Sequence, residues 1–152
     1  RVSVPVTPRV STSVVDAGTG PLLVVTCAES RVVEQLRQHL PVASVLQNLG
    51  GVMPRTTRSP RVQADVATVD DALEQLGVRH VVCVGHLGCR VAEGTSRFPV
   101  AGRAETDEAS RARQQRAVEH HVFTQLQRVR AYLRQRPVAP AVRLTGLWVD
   151  EQ

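Results

Sequence analysis

Lysine is missing from this chain: all nineteen basic residues among its 152 are arginine. Aromatic side chains are nearly as scarce, with one Trp, one Tyr and two Phe amounting to 3% of the residues. Single-stranded nucleic acids are usually held on aromatic platforms, so this scarcity argues against such a partner despite a formal charge of +5 and a pI near 10.4. The seven arginines between Arg111 and Arg136 are accordingly read as a solvated helix face. No apolar run approaches the ~20 residues that span a bilayer, and no charged segment leads into an apolar signal core. The expectation is a soluble cytoplasmic protein without a membrane partner.

Cysteine is also sparse. Three in a chain of this length do not form a disulfide framework, which agrees with a reducing compartment. Cys83 lies inside Val81-Val82-Cys83-Val84, where a small core residue is expected.

At 42% hydrophobic residues the chain suits one globular domain. Residues 1–20, rich in Pro, Ser, Thr and Gly, are expected to form an arm or loop, and residues 21–152 the domain. Leu22 to Thr26 is a short continuous apolar run typical of a strand buried on both faces, Val42 to Leu46 reads as the next strand, and His80 to Val84 as a central one. Between them, Val33, Leu36 and Leu40 suggest a short helix stopped by Pro41. Val62, Val66, Val69, Leu73 and Leu76 form a helical stripe closed by Gly77. Val118, Val122, Leu126, Val129 and Leu133 form another, ending before Pro137, and Thr106 with Glu105, Asp107 and Glu108 reads as a helix start. Strands alternating with helices predict an α/β domain with a mainly parallel central sheet flanked by helices, and ligands at the carboxyl ends of the strands.

The chemistry concentrates at two such ends. Cys27-Ala28-Glu29-Ser30-Arg31 and His86-Leu87-Gly88-Cys89 each follow an apolar run, and together offer two thiolates and one imidazole. Three protein ligands on tetrahedral zinc leave a fourth position open, which marks a catalytic site. Cys27, His86 and Cys89 are therefore the expected metal ligands and Zn2+ the expected cofactor. A cysteine-dependent phosphatase is excluded by spacing: its phosphate cradle needs arginine six positions after the cysteine, and residue 95 is Thr. Gly18-Thr19-Gly20 alone is too weak a signal for nucleotide binding.

These two strings resemble the C-x-D-S-R and H-x-x-C signatures of the beta-class carbonic anhydrases. Gln47-Asn48-Leu49-Gly50-Gly51 is similar to the family's intervening loop and Leu144 to Asp150 to its last strand, so the resemblance covers about residues 21–150. It implies reversible hydration of carbon dioxide to bicarbonate by attack of zinc-bound hydroxide, in a homodimer or a multiple of dimers. It also implies that Glu29, at the family's aspartate position, acts as the hydrogen-bond acceptor that orients hydroxide. Arg31 matches the arginine that pairs with this carboxylate and restrains it from the metal, and Asn48 and Gly50 become substrate-binding positions. Such an acceptor matters, because zinc neutralised by two thiolates acidifies water less than zinc on three imidazoles.

The departures from the pattern leave alternatives. Glu in place of Asp adds a methylene, so Glu29 acts as the aspartate does, closes the site as a fourth ligand, or reshapes the pocket. The last outcome suits a related heterocumulene such as carbonyl sulfide or carbon disulfide, and the second a zinc-binding homologue without turnover. Gln47 stands where arginine is common. Arg90 stands where glycine is usual, either crowding the site or pairing with Glu93. Of the adjacent His120 and His121, one is a candidate proton relay, while His39 and His80 read as structural.

Overall fold

Leu22–Cys27 forms β1 and His80–His86 forms β3, and every residue of both strands is buried. Continuous burial is what a parallel strand covered on two faces requires. Val42–Asn48 (β2) pairs with the other side of β1, and Arg143–Val149 (β4) with β3, giving an all-parallel sheet in the order β2-β1-β3-β4. Between the strands run α1 (Val32–His39), α2 (Pro60–Glu74), α3 (Arg90–Thr95) and α4 (Asp107–Leu133). This computed structural model describes residues 20–54, 60–95, 106–136 and 142–151. The arm expected over residues 1–20 falls, but for Gly20, outside them, as do Glu105 and Pro137. Among the described residues no helix is long and apolar enough to cross a membrane.

The alternation of side chains along the strands builds two cores. Leu23, Val25, Val81 and Cys83 pack against Val69 and Leu73 of α2 and Val118, Val122, Leu126 and Val129 of α4. Leu22, Val24, Val82 and Val84 face Val32, Val33 and Leu36 of α1. Cys83 is fully enclosed there, and burial pushes its thiol up to about 12, so it is protonated at neutral pH. Helix α4 begins at Asp107, three turns ahead of its apolar stripe. The Thr106 hydroxyl accepts the Ala109 N–H, and Asp107 and Glu108 occupy the first turn, where the helix dipole favours anions.

A polar clasp ties α2 to α4. Asp70 Oδ1 accepts from Tyr132 Oη at 2.6 Å and Arg136 Nε at 2.7 Å, Oδ2 accepts from Arg136 Nη2 at 3.2 Å, and the Arg136 guanidinium lies 3.5 Å from the centre of the Tyr132 ring. Burial pushes the Asp70 carboxyl upward, but the hydrogen bonds from Arg136 and Tyr132 outweigh it and leave the pKa below the usual value. A lowered folded-state pKa means that the clasp contributes fully above the unfolded value of about 3.9 and is lost as pH falls through the folded one. With Asp70 and Arg136 side chains 30% and 21% exposed, Asp70→Asn is expected to cost about 1 kcal/mol at pH 7. Urea unfolding at pH 7 and pH 3 checks this: the deficit of the variant should shrink at the lower pH.

Candidate metal centre

Strand order fixes where a ligand can sit. The chain leaves β1 for β2 on one side, then returns to place β3 on the other, so the crevice at the carboxyl ends of β1 and β3 is a topological switch point. Cys27 is the last residue of β1 and His86 the last of β3, and the His86–Cys89 turn, with Gly88 at φ +72°, folds Cys89 back over both.

The result is a buried trio in which the Cys27 and Cys89 sulfurs and a His86 ring nitrogen all lie within 4.8 Å of one another. It is the single such group among the described residues. The two sulfurs are 4.0 Å apart, too far for a disulfide at ~2.05 Å and close to the ~3.8 Å that two 2.3 Å zinc–sulfur bonds subtend in a tetrahedron. His86 Nδ1 lies 3.1 Å from the Leu87 carbonyl oxygen, which places the ring proton on that nitrogen. Nε2 then presents a lone pair, and among the described residues it is buried with no hydrogen-bond partner. A buried imidazole nitrogen aimed at two sulfurs has the character of a metal ligand. The donor set therefore fits zinc.

The loop after β2 completes the surroundings. Gly50 N–H donates to Cys27 Sγ at 3.2 Å, and Glu29 N–H approaches the same sulfur at 3.5 Å. Gly50 and Gly51 take φ of +84° and +58°, and a Cβ on Gly51 would meet the Thr26 backbone at 2.7 Å, so only glycine permits this close turn. Asn48, an expected substrate contact, instead clamps the loop: Nδ2 donates to Val52 O at 2.9 Å and Asp65 Oδ2 at 3.0 Å, and Oδ1 accepts Val52 N–H at 2.7 Å. Gly50 directs its N–H to the thiolate and its carbonyl to His121. The donors of both positions are thus engaged within the protein. Gln47, where arginine was expected, braces the turn after β1 by donating to the carbonyls of Cys27 and Ser30 at 3.4 and 3.3 Å.

Glu29 lies beside the trio but is held differently from the expectation. Its partner is Arg90, whose Nε donates to Oε1 at 3.0 Å and whose Nη2 donates to the same oxygen. The pairing with Arg31 is not found, nor is the one between Arg90 and Glu93. Arg31 sits at the start of α1 with an exposed side chain, and its backbone N–H donates to Glu151 Oε1 at 2.9 Å, an oxygen that also accepts from Ser30 Oγ at 2.8 Å. The longer glutamate arm reaches across to the residue after Cys89, beyond the one two positions along its own chain.

Two further residues support the loop, His121 and Gln125 of α4, and the second was not singled out in the sequence. His121 Nε2, one of the two candidate relay positions, lies 2.7 Å from Gly50 O and is engaged by the loop, and Gln125 Oε1 accepts the Met53 N–H at 2.9 Å. The available signal was two polar residues four apart inside an apolar helical stripe.

A sequence model of the carbonic anhydrase family matches residues 22–106. No curated protein matches the chain in sequence. Among solved structures, the beta-carbonic anhydrase CafD of Aspergillus fumigatus is similar with a TM-score of 0.59 and 22% identity, over 90% of this chain and 86% of that one. A structure from a study of two tetrameric beta-carbonic anhydrases of Sordaria macrospora gives 0.61 and 19%, over 94% and 82%. The Coccomyxa beta-carbonic anhydrase in complex with acetazolamide gives 0.59 and 17%, over 91% and 72%. The family match spans more than half of the sequence, the fold agrees with all three structures, and the chain belongs to the beta-carbonic anhydrase family.

Proposed function

We propose that the protein catalyses the reversible hydration of carbon dioxide to bicarbonate and a proton, with zinc held by Cys27, His86 and Cys89. The observation that supports this most is the buried trio itself, two sulfurs 4.0 Å apart with a His86 ring nitrogen within 4.8 Å of both, on an imidazole whose Nε2 is without a hydrogen-bond partner among the described residues. Zinc bound there supplies Lewis acidity, which makes a hydroxide nucleophile available near neutral pH. The chain's own contribution is positioning. His86 is locked in one tautomer by the Leu87 carbonyl, and the Cys27 thiolate carries two backbone N–H donors that draw off part of its charge. Both donors of Arg90 fall on Glu29 Oε1, which leaves Oε2 to accept a hydrogen bond from the attacking nucleophile and aim its lone pair, and keeps the carboxylate from collapsing onto the cation. In this reading Arg90 performs the restraint that the family pattern assigns to Arg31, and Asn48 and Gly50 serve the substrate indirectly, by shaping the loop around Cys27.

Assembly as a homodimer or a multiple of dimers belongs to the same reading, in line with the tetrameric relatives of Sordaria, and so does a reducing, cytoplasmic location for three free thiols. Stopped-flow hydration assays beside sulfide-release assays test the substrate. Bicarbonate formation inhibited by acetazolamide, the ligand of the Coccomyxa relative, is the expected result. Rapid sulfide release from carbonyl sulfide with negligible carbon dioxide hydration would replace the substrate while keeping the site.

A further inference from the structure

The inner stripe of α4 is apolar except at His121 and Gln125, which are 8% and 2% exposed. Buried polar side chains are retained where partners satisfy them, and each of these two has a partner in the loop that follows β2, Gln125 also accepting from Arg128 of its own helix. A carbonyl oxygen only accepts, so the 2.7 Å contact between His121 Nε2 and Gly50 O places the ring proton on Nε2. Burial lowers the basicity of this imidazole and keeps it neutral, consistent with its role as a single-proton donor. The same Gly50 sends its N–H to Cys27 Sγ at 3.2 Å. Gly50 has no side chain and lies in the left-handed region, so the orientation of its amide is set by what grips its ends.

We infer that His121 is a positioning residue for the metal centre: by fixing the Gly50 carbonyl from α4 it aims the Gly50 amide at the Cys27 sulfur and holds that sulfur in place as a ligand. The inference rests on the zinc reading above. Partners one shell beyond a metal's ligands typically govern 10–100-fold of metal affinity.

Zinc competition against a chromophoric chelator, on the whole chain, tests it. His121→Leu should bind zinc about 10–100-fold more weakly than the parent, whereas His121→Gln, whose amide nitrogen can take the place of Nε2, should stay within about threefold. A His121→Leu protein that melts lower when metal-free but binds zinc as tightly as the parent would reduce His121 to a packing residue and overturn the inference. Should the leucine variant not fold, His121→Asn, too short to reach Gly50, takes its place. In that pair, protein loaded with cadmium-113 should show scalar coupling from the metal to the Gly50 amide proton in the parent and lose it in the variant. Coupling of parental size in His121→Asn sinks the proposal alone. A parent that retains neither zinc nor cadmium sinks the metal reading itself.

Discussion

Cys89→Ser is expected to leave the protein folded, without stoichiometric zinc after gel filtration, and with carbon dioxide hydration at the uncatalysed rate. Sulfur is the soft, readily ionised donor that zinc prefers, and a serine hydroxyl at the same place is neither ionised near neutral pH nor long enough to restore the bond. Removing one of three protein ligands leaves two, so the loss of affinity should reach at least ~10³-fold, far above the effect of any residue around them. Stability should report the same linkage. A parent at a free zinc concentration of ~1,000 times its Kd gains about 4 kcal/mol, so a chelator should lower its melting temperature by several degrees. The Cys89→Ser melting temperature should ignore the chelator. Cys83→Ser is the control: its thiol, raised to about 12 and enclosed among Val81, Val25 and the α4 side chains, is no ligand, so that variant should keep its zinc. Elemental analysis showing one zinc per chain in Cys89→Ser would refute the ligand set.

Glu29→Gln should retain zinc yet lose ~10²-fold in kcat/KM for hydration, the cost of a nucleophile no longer oriented. The amide keeps the shape and removes the charge that Arg90 holds. Arg90→Gln should lower the rate by about tenfold, because the carboxylate is then free to swing, and small displacements of a catalytic group are costly. With 82% of the Arg90 side chain exposed, thermal stability should barely move in that variant, which separates positioning from folding. Faster hydration in Arg90→Gln would mean that the guanidinium obstructs the centre. Glu29→Asp probes the remaining alternative: if the parent is inert and the shorter acid is active, the added methylene is what silences the site. If both are inert with zinc bound, the cause lies elsewhere.

The strands were legible because burial on two faces leaves a continuous apolar run, as at Leu22 to Thr26 and His80 to Val84. The helices α2 and α4 were legible because burial on one face leaves a stripe. The three ligands stood out because thiolates and imidazole at strand ends have few other uses. Strand order was less accessible, since the apolar runs carry no mark of which neighbour they pair with. The Glu29–Arg90 pair was hidden for a related reason. Its members are 61 positions apart and meet only once β1 and β3 lie side by side, whereas Arg31 is the nearer cation in sequence. The hydrogen bonds of Asn48, Gly50 and His121 were hidden as well, because the sequence does not record that the loop after β2 and α4 engage them.

The 62 positions between Cys27 and Cys89 have a consequence for biosynthesis. At ~5–20 residues per second a ribosome makes the first thiol several seconds before the second exists, and β1 can pair with β3 only after both have been made. A nascent chain that stops short of Cys89 therefore lacks the complete ligand set, and until β3 settles beside β1 the Cys27 thiol is open to oxidants and softer metals.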